Sequence, residues 1–331
     1  MNAGDTAAAL VAGLPDADHP DWVDPMLAVL TENRFSDPGW LFERKLDGER
    51  LLVFRDGDRV RLMTRNRNLV NDTYPELQEA VAGQAVRDFV ADGEVVAFDG
   101  RNTSFSRLQR RMQIKDPRDA RSSGVAVYLY LFDILHLEGH DVTREPLRER
   151  KSILRRALRF EDPLRFAQHR NESGEAYFAE ACKKGWEGLI AKDAGAAYVH
   201  GRSSKWLKFK CARGQEMVIC GFTMPEGRRE GFGALVLGYY EDERLRYAGR
   251  VGTGFDDDFL SEFRARLERI RRDTPPFDED VDDEACWVRP ELVAEIGFTE
   301  WTSAGRLRHP RFLGLRRDKP AREVVREEAA S

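Results

Sequence analysis

Glu43-Arg44-Lys45-Leu46-Asp47-Gly48-Glu49-Arg50 is a charged interruption between two segments that read as strands. A lysine followed by x-Asp-Gly is common by itself. Here it heads an ordered series: Thr64-Arg65-Asn66, Asp92-Gly93-Glu94, Tyr130-Leu131-Phe132-Asp133, Glu187-Gly188-Leu189-Ile190-Ala191-Lys192, Lys205-Trp206-Leu207-Lys208-Phe209-Lys210 and Arg316-Arg317-Asp318-Lys319. Lysine is a poor nucleophile near neutral pH, because its ordinary pKa is about 10.4. Nearby cations disfavour its charged form and free the amine. Lys208 and Lys210 lie two apart on a strand-like run, so they share a face with Trp206, and Phe209 points the other way. Two ammonium groups on one face suit a phosphate, and they predict a depressed pKa for Lys45. Read alone, the same pair equally fits an exposed strand edge guarded by charge.

The other motifs are weak singly. Glu94 and Glu187 offer hard oxygen ligands of the kind magnesium takes, although isolated acids of this kind more often serve turns and caps. Phe132 reads as core, yet a flat ring at a pocket edge stacks on a purine. Arg65 carries a fork that fits phosphate, or it is a surface residue of a turn.

At 331 residues the chain has room for two domains, each with its own core. Hydrophobic residues make up 41% and charged residues 34%, a soluble profile with no apolar run of the roughly 20 residues that span a bilayer. Met1 to Gly13 has an apolar stretch without a positive leader, which does not fit a signal peptide. The four cysteines (Cys182, Cys211, Cys220 and Cys286) form no C-x-x-C pair. That disfavours a zinc module of that type and points to reduced thiols in a cytoplasmic protein. The net charge of −5 argues against a general polyanion binder. Its distribution argues the other way: Ser106 to Arg121 and Arg306 to Arg322 are basic, and the acid gathers at Asp278 to Glu284.

Leu51 to Phe54, Asp56-Gly57-Asp58 and Val60 to Met63 predict a hairpin with an Asp-Gly turn. Phe89 to Ala91 and Val95 to Phe98 read as strand material around a turn at Asp92-Gly93-Glu94. Val125 to Leu135 reads as a buried strand. Pro146 to Leu158 and Ala176 to Lys184 have helical spacing. A boundary is expected near Cys211. Short strands and one helix, Phe255 to Arg272, then predict a small barrel such as an OB-fold. Residues 1–20 read as disordered or linker-like, 21–211 as the first domain, 212–325 as the barrel and 326–331 as a tail.

The ordered series resembles the covalent nucleotidyl transferases, and among them the ATP-dependent DNA ligases, over roughly residues 25 to 325. Ser104-Phe105-Ser106-Arg107-Leu108-Gln109-Arg110-Arg111, Phe132 to Gly139 and His309 to Pro320 are most similar to the ligase module of bacterial end-joining ligase D, here in a stand-alone form. The resemblance implies an α+β nucleotidyl transferase (adenylation) domain, with antiparallel sheets and helices, followed by a C-terminal OB-fold β-barrel. It implies a lysyl-adenylate on Lys45, with ATP as its source and Mg2+ or Mn2+ as metal. Glu43 would accept from the adenine amino group and Phe132 would stack on the base. Lys192 would join the nucleotide pocket. Glu94 would contact ribose or metal, and Glu187 would hold metal. Lys208 and Lys210 would contact the α-phosphate; Arg50 and Arg65 would engage ribose or the 5′-phosphate at the nick. Asp318 and Lys319 would orient pyrophosphate. The implied partner is nicked duplex DNA, with Ku or another end-joining protein as recruiter and the chain as a monomer.

Three departures from the family pattern stand out. Arg67 replaces a glycine after Thr64-Arg65-Asn66, Ser203 replaces an arginine with Lys205 close by, and Arg44 replaces a proline beside the nucleophile. If both lie on a strand, Arg44 points away from Lys45. Rival readings of the same residues are an RNA ligase or GTP-using capping enzyme, and a DNA-binding module without chemistry. Glu43 favours adenine, because guanine presents a carbonyl where adenine presents an amino donor.

Overall fold

The octet around Lys45 joins two strands that enter different sheets. The computed structural model describes residues 3–211, 214–225, 231–279, 281, 284–316 and 319–327. The chain divides into two units, Met1–Cys211 and Ala212–Glu327. Unit 1 runs α1 (Ala3–Val11), β1 (Met26–Leu30), β2 (Trp40–Lys45), β3 (Glu49–Asp56), β4 (Arg59–Thr64), α2 (Pro75–Ala82), β5 (Asp88–Asp99), β6 (Asn102–Thr103), α3 (Phe105–Met112) and α4 (Pro117–Ser122). It continues with β7 (Val127–Leu137), β8 (His140–Asp141), α5 (Leu147–Ala157), β9 (Leu164–Phe166), β10 (His169–Asn171), α6 (Gly174–Lys183), β11 (Gly188–Asp193) and β12 (Gly201–Lys210). One sheet has the order β4-β3-β5-β7-β8, and the other β1-β12-β11-β2-β10.

Alternation along the strands builds the layers. Leu51, Val53, Ala91, Leu129 and Leu131 cover one face of the first sheet and pack on Leu77 of α2, Leu108 of α3 and Leu154 of α5. The opposite face carries Leu52, Phe54, Val90 and Phe132. These cluster with Met26, Tyr198 and Trp206 from the second sheet and its approach. The second sheet turns its back, Phe42, Leu189, Ala191 and Phe209, onto Tyr177 and Ala181 of α6. Each fully buried aromatic or aliphatic side chain contributes about 1.5–3 kcal/mol. The result is a helix–sheet–sheet–helix stack with its functional side chains between the sheets.

Gly48 is needed where β2 hands over to β3. A Cβ there would meet the Val95 carbonyl oxygen at 2.1 Å, so any side chain would push β3 off β5. The predicted hairpin is β3–β4, closed by the Asp56↔Arg59 pair.

The structure departs from the sequence reading at three places. Residues 3–11 form α1 rather than a disordered tail, and Ala7 and Val11 are buried in the first core. The apolar stretch was too short to mark it as an element. The turn expected at Asp92-Gly93-Glu94 is absent. β5 runs straight through as a central strand paired with β3 and β7, and the irregularity is taken up as a register shift in the β7 ladder. Cys182 and Cys211 form a disulfide across 29 residues of sequence, with Cα atoms 5.2 Å apart. Packing of α6 against β11 brings the end of that helix to the end of β12, which chain spacing does not reveal. Cys220 and Cys286 are free. Arg67 keeps the turn a glycine would make: its φ is +61°. The left-handed geometry costs roughly 1–2 kcal/mol for a residue with a Cβ. Stacking of its guanidinium 4.9 Å from the Trp22 ring offsets part of that.

Unit 2 contains β13 (Gly214–Phe222), β14 (Leu235–Glu241), β15 (Arg244–Val251), α7 (Asp257–Arg269), β16 (Cys286–Gly297), β17 (Glu300–Trp301), β18 (Leu307–Arg308) and β19 (Arg311–Arg316). Its main sheet is antiparallel, in the order β15-β14-β13-β16-β19. Phe263 and Leu267 of α7 close its core. This is the strand-rich architecture with one helix expected of an OB-fold.

Asp133, next to Phe132, is fully buried and held by Arg150 of α5, at 2.7 Å and 2.8 Å through both carboxylate oxygens. The remaining Arg150 nitrogen donates to the carbonyls of Glu145 and Ala196. Removing one member leaves a buried charge alone. Arg150→Ala is therefore expected to lower unfolding free energy by about 3–5 kcal/mol in urea denaturation, with Asp133→Asn in the Arg150→Ala background recovering part of the loss.

Candidate active site

Three strands place Lys45. β11 lies between β2 and β12, with Lys45↔Gly188↔Lys210 in one cross-strand row and Glu43↔Ile190↔Lys208 in the next. Side chains in one row project from one face. Lys45 and Lys210 thus flank a position with no side chain. Gly188 has φ +152°, and a Cβ on it would meet the Phe209 carbonyl oxygen at 1.8 Å.

The Lys45 ammonium pairs with Glu187 at 2.5 Å. Burial and the Lys210 charge both push the Lys45 pKa down, but the Glu187 carboxylate outweighs them and the net shift is upward. This corrects the expectation of a depressed pKa: the carboxylate before β11 wins over the lysine on β12. The Arg44 guanidinium stacks on Trp186, 4.5 Å from the ring centre. The second Glu187 oxygen, Oε2, is buried with no hydrogen-bond partner. A buried carboxylate oxygen left open beside Lys45 fits a divalent cation.

The cleft between the sheets is lined by Glu43, Lys45, Arg50, Glu94, Phe132, Lys192 and Trp206, among others. Glu43 is 3% exposed, with Lys151 of α5 on Oε1 at 2.6 Å and Lys192 on Oε2 at 2.7 Å. Burial would raise the Glu43 pKa, but the two ammonium groups hold it below the usual carboxylate range. Burial pulls Lys192 down to about 8 against the attraction of Glu43. The Lys192 ammonium lies 4.0 Å from the Phe132 ring and 4.2 Å from the Trp206 ring. Trp206 Nε1 is buried without a partner, an open donor at the wall of the cleft. Arg50 is bound by both oxygens of Asp92 at 2.5 Å, and Tyr198 donates to the same carboxylate at 2.6 Å. Its guanidinium sits 4.5 Å from the Phe132 ring.

The cleft thus gathers Glu43, Lys45, Arg50, Glu94, Phe132 and Lys192, with Glu187 paired to Lys45 and Lys208 and Lys210 on β12. Arg65 falls in the turn after β4, half-buried, and does not line it. Lys205 pairs with Asp193 at 2.9 Å. In unit 2, Lys319 pairs with Glu216 at 3.2 Å; Asp318 lies outside the described residues. Sequence reasoning missed Lys151 and Tyr198. Lys151 sits on a heavily charged helix whose pattern gives no sign that one lysine turns inward, and Tyr198 lies in no motif. The basic run after Ser104 splits by role. Arg111 is buried on Glu76 and the Thr73 carbonyl, and Arg107 and Arg110 line a surface groove with Ser104 and Ser123.

A lysine held in a cleft between two sheets, flanked by cations and an open carboxylate oxygen, together with a separate strand-rich unit, defines the nucleotidyl transferase class. The chain belongs to the ATP-dependent DNA ligase family: residues 25–210 match the ATP dependent DNA ligase domain and residues 228–319 the ATP dependent DNA ligase C terminal region. It is 39% identical to the multifunctional non-homologous end joining protein LigD of Pseudomonas aeruginosa over 94% of its own length and 37% of that protein's. To the LigD of Mycolicibacterium smegmatis it is 38% identical, over 93% and 40%. The chain thus spans about two fifths of these relatives. Among solved structures, mycobacterial DNA ligase D complexed with ATP and MES matches with a TM-score of 0.66 and 34% identity, over 92% of this chain and 98% of that one. This match extends across the adenylation and OB-fold architecture. Among the described residues, no helix is long and apolar enough to cross a membrane.

The Gly188 position makes a direct test. Gly188→Ala is expected to cost about 1–3 kcal/mol from backbone strain alone and to displace Lys210 from Lys45. Gly201→Ala, also at positive φ but with open space around it, should cost less. Urea denaturation of both variants distinguishes a close approach from a merely unfavourable φ.

Proposed function

We propose that this chain seals 5′-phosphate/3′-hydroxyl nicks in duplex DNA through a lysyl-AMP on Lys45. The observation that carries the proposal is the Lys45–Gly188–Lys210 row with Glu187 on the nucleophile. Lys45 Nζ, once deprotonated, attacks the α-phosphorus of ATP; a P–N bond forms as the bond to pyrophosphate breaks. A 5′-phosphate oxygen of the DNA then takes the AMP, breaking that P–N bond. The 3′-hydroxyl attacks the DNA phosphorus, and AMP leaves with the bridging oxygen. Each transfer is in-line, so positioning and charge stabilisation supply most of the rate.

The residues divide the work. Phe132 stacks on the base, and Glu43, held by Lys151 and Lys192, accepts from the adenine amino group with the lone pairs those lysines leave. Lys208 and Lys210 face the α-phosphate. Arg50 and Glu94 hold the ribose side, and Arg65 reaches for the 5′-phosphate at the nick. Asp318 and Lys319 orient the departing pyrophosphate. Glu187 and Glu94 would hold Mg2+ or Mn2+, which supplies charge neutralisation on the phosphates; the open Glu187 Oε2 supports this. Within this reading the chain works in end joining, in keeping with the names of its relatives, as a cytoplasmic monomer recruited by Ku.

Incubation with ATP labelled at the α-phosphate and magnesium, followed by denaturing electrophoresis, tests the proposal. The expected result is a labelled protein band that is lost in Lys45→Ala, is not formed from GTP and transfers its label to nicked duplex DNA. Protein that stays unlabelled after pyrophosphate treatment, yet binds nicked duplex, would overturn the proposal in favour of a binding module.

A further inference from the structure

A second cluster of ligating side chains lies outside the cleft. Asp88 opens β5 six residues before Glu94, about 20 Å away along the strand at roughly 3.3 Å per residue. His19 comes from the segment that follows α1, and His136 from β7. His19 Nδ1 lies 2.7 Å from Asp88 Oδ1, and His136 Nε2 lies 3.1 Å from the same oxygen. One ligand atom from each residue falls within 4.8 Å of the others. None of the three lines the cleft around Lys45.

We propose that His19, Asp88 and His136 form a binding site for a divalent transition-metal ion of the zinc class. The donor set is two imidazole nitrogens and one carboxylate, which zinc favours. Tetrahedral bonds of about 2.0–2.2 Å put neighbouring ligand atoms roughly 3.3 Å apart, so the two imidazole–carboxylate edges, now 2.7 Å and 3.1 Å, open slightly on binding, and the two imidazole nitrogens, within 4.8 Å of one another, draw together. The carboxylate is oriented from behind: the Gly139 amide donates to Asp88 Oδ2 at 2.8 Å, the kind of outer hydrogen bond that supports metal ligands. The His19 ring packs edge-on against Phe54 and His136, which sets its plane. The Asp88 side chain is 30% exposed, leaving a route for the ion and a place for a water ligand.

The ion would pin the N-terminal segment to the sheet. That segment already docks through Ala17 N–H to the Gly139 carbonyl at 2.8 Å and Asp141 N–H to the Pro15 carbonyl at 3.2 Å. Without an ion the three side chains are a hydrogen-bonded clamp with the same topology, and the test separates the two.

The experiment uses the full chain, free of any affinity tag and stripped with chelator, titrated with Co2+ and then Zn2+ in excess Mg2+. The expected result is one Co2+ per chain with visible d–d absorption, displaced by Zn2+, and a rise in melting temperature on adding Zn2+. His19→Ala and His136→Ala should weaken binding by at least about 10–100-fold, while Glu187→Gln and the neighbouring His140→Ala bind as the parent does. Circular dichroism checks that the variants fold. Parent protein that shows no Co2+ band, or a band that survives in folded His19→Ala, overturns the proposal.

Discussion

The Lys45–Glu187 ion pair is the constraint around which the rest of unit 1 is arranged. It is made at the end of β2 and the start of β11, two strands that must lie side by side for it to form. Everything else in the sheet serves that adjacency. Gly188 lets β12 come close enough to bring Lys210 to the same row. Phe42, Leu189 and Phe209 anchor the back of the three strands on α6. Cys211 donates its amide to the Glu187 carbonyl at 3.0 Å, and its disulfide ties the end of β12 to α6.

The pair also sets a resting state. A lysine with a carboxylate partner is stabilised as the ammonium. That stabilisation is fully present below the ordinary lysine pKa and is lost as pH rises through the raised folded value. Lys45 is thus held as the ammonium. Withdrawal of the Glu187 charge toward a cation would leave burial and Lys210 to pull the pKa down.

How much of this was legible in the sequence varied with the kind of signal. Ordered motifs singled out Glu43, Lys45, Phe132, Lys192, Lys208 and Lys210, each on a strand whose alternation fixes its face, and Glu187 just before β11. The strands of unit 2 and its helix were legible from glycine-punctuated apolar runs. What stayed hidden was tertiary. Lys151 is one inward lysine on a charged helix, and only the fold shows that it turns onto Glu43. The sequence read Lys45 through its cationic neighbours, whereas the nearer carboxylate decides its protonation. Asp92 looked like a turn residue; pairing on both sides of β5 makes it the buried anchor of Arg50. The cysteine pair was invisible because 29 residues separate partners that one helix brings together.

Site-resolved measurement of the Lys45 amine pKa tests this account most directly. Pulsed labelling with an amine-reactive reagent across a pH series, read by peptide mass spectrometry, reports it in nucleotide-free protein stripped of metal. The account predicts that Lys45 becomes reactive only above the ordinary lysine range, and that Glu187→Gln shifts its titration to lower pH while solvent-exposed lysines such as Lys184 are unmoved. Superimposable Lys45 titrations in the parent and Glu187→Gln would contradict it, since the ion pair would then not govern the nucleophile.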